Sequence, residues 1–271
     1  MAKDLVRFNG HYQDTEQFFH ISGGVKSKKS RIPFDTNSHS FLFDGVNDFT
    51  RSAKNSNPFA RNDFTVGGFF KTSSSTSQVI LYNGCNYRFS ISRIPFCCRL
   101  NNVGALRLSV YNWTHTTPSN PGGKVFVSNT TGFDDGQWHE WVYRYDASGN
   151  SAILMVDGVV EALTDTGGGW RPAPTYNHNR LGLGAEHNNS GGYGAFAFNG
   201  VIDHIYIYDR WLSDSEVSYN FFKGKVTDLS KGMASGALLH WWKGNNTGFD
   251  EAGNRNFALF NGASYSTDIP N

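Results

Sequence analysis

The sequence predicts an all-β fold: a sandwich of two antiparallel sheets with one short helix near residues 214–222. Three observations carry this reading. Residues 137–145 place His139, Trp141, Tyr143 and Tyr145 at every second position, the period of a pleated strand. The chain then reverses at Asp146-Ala147-Ser148-Gly149-Asn150, runs apolar through Ile153-Leu154-Met155-Val156, and turns again at Asp157-Gly158. Composition agrees: 22 Phe and 12 Tyr are punctuated by 30 Gly, as in aromatic strands joined by turns. A length of 271 residues suits one large sandwich or two small domains.

In chain order, residues 1–38 show no sustained alternation and read as an arm. Its scattered Val6, Phe8, Phe18, Phe19 and Ile21 suggest docking onto this fold or a neighbouring subunit. Residues 40–50 form the first strand, in which Phe41 and Phe43 are followed by Gly45-Val46 leading into a turn. Residues 63–71 form the next, with Phe64, Val66, Gly68 and Phe70 on one face and Thr65, Gly67, Phe69 and Lys71 on the other. Thr72-Ser73-Ser74-Ser75-Thr76-Ser77 is a solvated turn. Strands follow at 79–82, 87–91, 106–110 and 124–127, and then the hairpin described above. Residues 164–180, rich in Gly, Pro and Asn, form a long loop; 180–184 is a short strand, 185–195 a polar loop, and 198–208 a strand. Ser213 with Glu216 three residues on is a capping box, starting a helix over 214–222. Leu238-Leu239-His240-Trp241-Trp242 opens a C-terminal segment, 225–271, that either packs back on the sandwich, residues 39–224, or on a neighbouring chain, because two bare tryptophans need cover.

Three stretches carry a family resemblance. They are Phe43-Asp44-Gly45-Val46-Asn47-Asp48-Phe49, the Trp138-His139 to Asp157-Gly158 hairpin, and Phe198-Asn199-Gly200-Val201-Ile202-Asp203-His204-Ile205-Tyr206-Ile207-Tyr208 followed by Leu212-Ser213-Asp214-Ser215-Glu216-Val217. In this order, over about residues 40–222, they resemble the concanavalin A-like lectin/glucanase superfamily, in particular its laminin-G-like jelly rolls. Residues 236–265 resemble that family's usual N-terminal segment, placed here after the closing strand. The resemblance implies a concanavalin A-like jelly roll and, at its rim, Ca²⁺. Alternation puts Asp203 on the face of Val201, Ile205 and Ile207, where a buried carboxylate needs a partner. Asp44, Asn47 and Asp48 would share the calcium with it. The alternative is a carboxylate accepting backbone N–H bonds.

Charge and motifs exclude several classes. The formal net charge is +1, and the only basic cluster, Lys26-Ser27-Lys28-Lys29-Ser30-Arg31, reads as a solvated arm, so no nucleic-acid partner is expected. There is no apolar run of membrane length and no signal-peptide core, so synthesis in the cytoplasm without a membrane partner is expected. Cys85, Cys97 and Cys98 read as free thiols, or Cys85 bridges one of the other two. His139-Glu140 opens like a zinc-protease motif, but Tyr143 stands where the second His belongs. The two-carboxylate strand pattern Glu-x-Asp-x-x-Glu of retaining glucanases does not occur, so no enzyme is expected.

A glycan site would use aromatic rings and amides on loops. The candidates are Trp113, His115, Trp170, Tyr176, Asn177, His178, His187, Asn188 and Tyr193, with Asn179 and Asn189 beside them. The reading favoured is a non-catalytic structural protein on a virion surface, as decoration, cement or fibre, oligomeric in its assembly and able to adhere to glycans. Laminin-G-like domains on phage virions prompt it. The alternatives are a free-standing lectin module and, more weakly, a glycoside hydrolase.

Overall fold

In the computed structural model the residues described are 34–53, 58–59, 63–85, 93–111, 123–166, 180–187, 192–222 and 225–270. Their strands are β1 (Ser40–Asp44), β2 (Phe49–Arg51), β3 (Phe64–Lys71), β4 (Gln78–Cys85), β5 (Arg93–Leu100), β6 (Leu106–Tyr111), β7 (Gly123–Ser128), β8 (Trp138–Asp146), β9 (Ser151–Val156) and β10 (Val159–Glu161). Next come β11 (Leu163–Asp165), β12 (Arg180–Leu183), β13 (Glu186–His187), β14 (Tyr193–Ala195), β15 (Asn199–Tyr208) and helix α1 (Asp214–Asn220). The chain closes with β16 (Phe221–Phe222), β17 (Lys225–Val226), β18 (Leu238–Trp242), β19 (Ala258–Phe260) and β20 (Ser264–Ser266).

Two antiparallel sheets form the sandwich. The larger runs β10-β9-β8-β3-β15-β1-β20, and β18 also pairs with β15. The smaller runs β11-β7-β6-β5-β4-β12. Period-two alternation sends Phe64, Val66, Phe70, Trp141, Tyr143 and Tyr145 inward from the larger sheet. They meet Phe96, Cys98, Leu100, Leu106 and Leu108 of the smaller one. The larger sheet is buried on both faces: Phe69, Val142, Tyr206, Tyr208 and Trp241 point outward and are covered by Leu212, Val217, Val226, Leu229 and Ala234.

Several details differ from the sequence reading. The stretch 40–50 has its expected turn at Gly45-Val46, where Gly45 adopts φ +81°, but the turn separates two strands, β1 and β2, rather than ending one. The capping box forms, with the Ser213 N–H donating to Glu216 Oε2 at 2.9 Å, but the helix stops at Asn220 rather than 222. Phe221 and Phe222 leave it to pair with Val226 and Lys225. Within the polar loop expected at 185–195, residues 186–187 and 193–195 pair as β13 and β14. The strand expected at 87–91 falls outside the described residues; the strand that pairs with β4 is β5. It contains Pro95, which has no N–H to give a ladder, and a register shift opposite Asn83–Cys85 accommodates it. Cys97 and Cys98 are buried free thiols on β5.

β15 organises the larger sheet. β3 runs along one side of it. The other side is shared: β1 pairs with residues 199–202 and β18 with 205–208. The bulge at Asp203–His204 marks the junction, with His204 at φ +47°. The C-terminal strand β18 therefore occupies half of an interior slot, while β20 pairs with β1 and β19 with β2.

Candidate functional site

Two polar centres remain after the core is assigned. The first is the β15 junction. The bulge reverses the alternation, so Ile202, Ile205 and Ile207 all join the inner core and Asp203 does not share the Ile205 face. Asp203 accepts from the His204 N–H at 2.8 Å and from Asn37 Nδ2 at 2.9 and 2.8 Å. Asn37 Nδ2 also reaches the Lys243 carbonyl at 2.7 Å, so one amide ties the run before β1 to the run after β18. Burial raises the Asp203 carboxyl above the usual range against these donors, with the Asp35 charge adding to the rise. Lys243 Nζ pairs with Asp35 at 2.8 Å and lies 4.3 Å from the centre of the Trp241 ring. His204 stacks on Trp241, and burial followed by the Lys243 charge holds it neutral, at about 3. The junction is a structural staple.

The calcium set does not assemble into one site. Asp44 stands opposite Asn199 on β15, four residues from Asp203, or roughly 13 Å along a strand. Asp44 Oδ1 caps its own turn through Val46 N–H, the Asn47 carbonyl accepts from Asn261, and Asp48 Oδ2 accepts from Asp44 N–H at 3.0 Å. Among the described residues, no group of three or more His, Cys, Asp or Glu side chains is arranged to hold a metal ion. The donor set named from the sequence does not fit a single calcium.

His139 is held between Asp157 (Nδ1 to Oδ2, 2.7 Å) and Asp135 (Nε2 to Oδ1, 3.1 Å). Burial alone would lower its pKa; the two carboxylates outweigh it and raise it. A raised folded-state pKa gives stability that is complete below the unfolded value near 6.5 and is lost as pH rises through the folded value. His139→Gln should therefore cost more stability at pH 5.5 than at pH 8.5. Urea midpoints at the two pH values check this, and an equal cost at both contradicts it.

The second centre lies on the outer face of the smaller sheet. The β5–β6 hairpin reverses over Asn101-Asn102-Val103-Gly104-Ala105. Asn101 Oδ1 accepts from Val103 N–H (3.0 Å) and Ala105 N–H (2.9 Å), and Gly104 adopts φ +70°. A side chain at Gly104 would collide with Asp134, its Cβ lying 2.1 Å from Oδ1. This turn fixes the register Leu100↔Leu106, and hence Arg99↔Arg107. With Cys98, Leu100, Leu106 and Leu108 inside, both arginines face outward, directly opposite each other.

Like charges in that position repel. The Nε atoms of both arginines are buried without a hydrogen-bond partner, and among the described residues neither guanidinium forms a hydrogen bond or ion pair. Arg99 instead stacks 4.7 Å from the centre of the Phe196 ring. Phe196 is 37% exposed and sits at φ +57°, a costly conformation for a bulky residue. Its carbonyl accepts from Val79 N–H at 3.0 Å, which anchors it to β4. Glu186 is the nearby acid: burial raises its carboxyl and the Arg99 charge opposes the rise, but the two form no ion pair. Beside them burial lifts the Cys97 thiol to about 12, which favours its protonated form.

Of the glycan candidates, His187 and Tyr193 are described, and β13–β14 pairing brings them together. His187 is not on a loop. It is a buried strand residue packed edge-on to Tyr82 at 4.9 Å, and burial, then Arg51 and Arg180, lower it to about 3. Trp113, His115, Trp170, Tyr176, Asn177, His178 and Asn188 lie outside the described residues. Arg99, Arg107 and Phe196 are not among the residues singled out by sequence: Arg99 lies on β5, a strand outside those expected, and its pairing with Arg107 arises only where β5 meets β6. Once β5 is known, counting outward from Val103 pairs 99 with 107.

A sequence profile described as the concanavalin A-like lectin/glucanases superfamily matches residues 34–218. Among curated proteins no sequence matches this chain. Similar solved structures include a candidate carbohydrate-binding protein of Bacteroides ovatus: 12% identity, 86% of this chain and 61% of that one, TM-score 0.58. The chain thus spans less than two thirds of that protein's length. Another is the native heptameric SAP-like pentraxin of Limulus polyphemus: 14% identity, 85% of this chain and 95% of that one, TM-score 0.53. At such identities the likeness is one of fold.

Proposed function

We propose a function from one premise, that this chain belongs to the concanavalin A-like lectin/glucanase superfamily: it is a non-catalytic module that binds carbohydrate on the outer face of its smaller sheet. The observation that carries this reading is the Phe196–Arg99 platform. An exposed ring held in a strained backbone offers a flat apolar surface to the C–H face of a pyranose. The arginine beneath it offers donors to sugar oxygens. The Bacteroides ovatus protein shares the fold on which this role is proposed. A virion-surface role rests on the sequence alone; the fold and the similar structures add nothing to it.

A glycan array probed with the full chain tests the proposal. Saturable binding, weakened by Phe196→Ala, with no release of reducing ends from the bound polysaccharide, is the expected result. Absence of saturable binding to any glycan, or turnover of one, overturns it.

A further inference from the structure

We infer that the sugar taken by this face is anionic, its carboxylate or sulfate group seated between Arg99 and Arg107; this rests on the carbohydrate-binding reading above. The arginine pair carries a cost within the fold. Two guanidiniums on adjacent strands repel, and the hairpin turn leaves them no register in which to separate. Arginines kept for solubility would hold their whole guanidinium groups in water. Here both Nε atoms are shielded and lack an acceptor, which costs the desolvation of a charged donor. Stacking on Phe196 limits how far Arg99 can turn away.

A single oxyanion offsets the repulsion through the solvent-facing ends of the two guanidiniums. It accepts from two planar forks at once, in the paired geometry that guanidinium and carboxylate or sulfate share. A neutral hydroxyl would satisfy a donor but would leave the repulsion in place. Glu186 is close enough to feel Arg99 but forms no ion pair with it. The sugar ring attached to the anion then falls beside Phe196, so one ligand unites the charged and aromatic parts of the platform.

Titration calorimetry on the full chain tests this with three oligosaccharide probes of equal length: one carboxylated, one sulfated, one uncharged. Arg99→Gln, Arg107→Gln and Arg107→Lys are compared with Lys231→Gln, an exposed lysine paired with Asp228 on α1's side of the molecule. Expected are binding of at least one acidic probe, a loss of tenfold or more in each Arg99 and Arg107 variant including the charge-preserving lysine, and no change in Lys231→Gln. The acidic probe should also raise the Tm of the parent chain and not that of Arg107→Gln, which shows that the variant is folded and unliganded. Preference for the carboxylated or the sulfated probe identifies the anion. Equal affinity for charged and uncharged probes, unchanged by the arginine variants, overturns the inference and leaves carbohydrate binding standing. Failure of all three probes in a chain that does bind on the array also overturns it, whereas failure of probes and array together sinks both.

Discussion

Replacing Trp242 with alanine is expected to cost about 3–5 kcal/mol, the range for emptying a fully buried large aromatic site. Trp242 is 0% exposed. Its indole stacks on Phe257 at 4.3 Å and on His240 at 5.2 Å, and its Nε1 donates to the Arg255 carbonyl at 2.9 Å. Its backbone pairs with Ile205 at the centre of the larger sheet. Alanine would leave a cavity in the main core and an acceptor without its donor, and would loosen the strand that fills half of β15's second side. Chemical denaturation of the variant measures the loss. A cost below about 1 kcal/mol would mean that the C-terminal strand is an accessory to the fold, and the topology drawn from β15 would be wrong.

Asp250→Ala is expected to have an effect of similar size, because three backbone N–H groups lose their acceptor at about 1–3 kcal/mol for each one left buried and unsatisfied. The Asp250 carboxylate is buried and accepts from the backbone N–H groups of Trp241, Gly253 and Arg255, each at 3.0 Å. Its Oδ2 lies 2.7 Å from His240 Nδ1. Burial would raise its pKa, but His240 and the Trp241 and Arg255 N–H groups lower it. A lowered folded-state pKa gives stability that is present above the unfolded value near 3.9 and is lost as pH falls through the lower folded value. The difference between parent and variant should therefore be full at neutral pH and should shrink in acid. Asp250→Asn keeps the shape but loses the charge and one acceptor, and should fall between the two. A parent–variant difference that grows on acidification would contradict the assignment.

Both residues lie in a tail whose place in the fold its sequence shows only in part. The apolar run at Leu238–Trp242 marks a strand that needs cover. Its slot beside Ile205–Tyr208, however, depends on where β1 ends, and β1 is only five residues long. The alternating strands were legible because a half-buried sheet imposes period two on its residues: Trp141, Tyr143 and Tyr145 point inward as their spacing requires. Asp203 was misplaced for the converse reason. A bulge at a non-glycine residue, His204, shifts the alternation by one, and no local residue type announces it. The arginine pair shows a third limit. Strand pairing creates it across a hairpin, so neither arginine stands out in its own strand. His187 read as a polar loop residue because its sequence neighbours are polar, whereas its ring is buried by β2 and β4, distant in sequence.

The most direct test of the binding face is a map of backbone amide shifts in the isotope-labelled chain, titrated with the acidic oligosaccharide. Shifts concentrated on Cys97–Leu100, Leu106–Ser109 and Ala195–Ala197, and small elsewhere, are the predicted result. Shifts centred instead on the Asp44–Asp48 turn at the sandwich rim, with Arg99 and Arg107 unmoved, would contradict it.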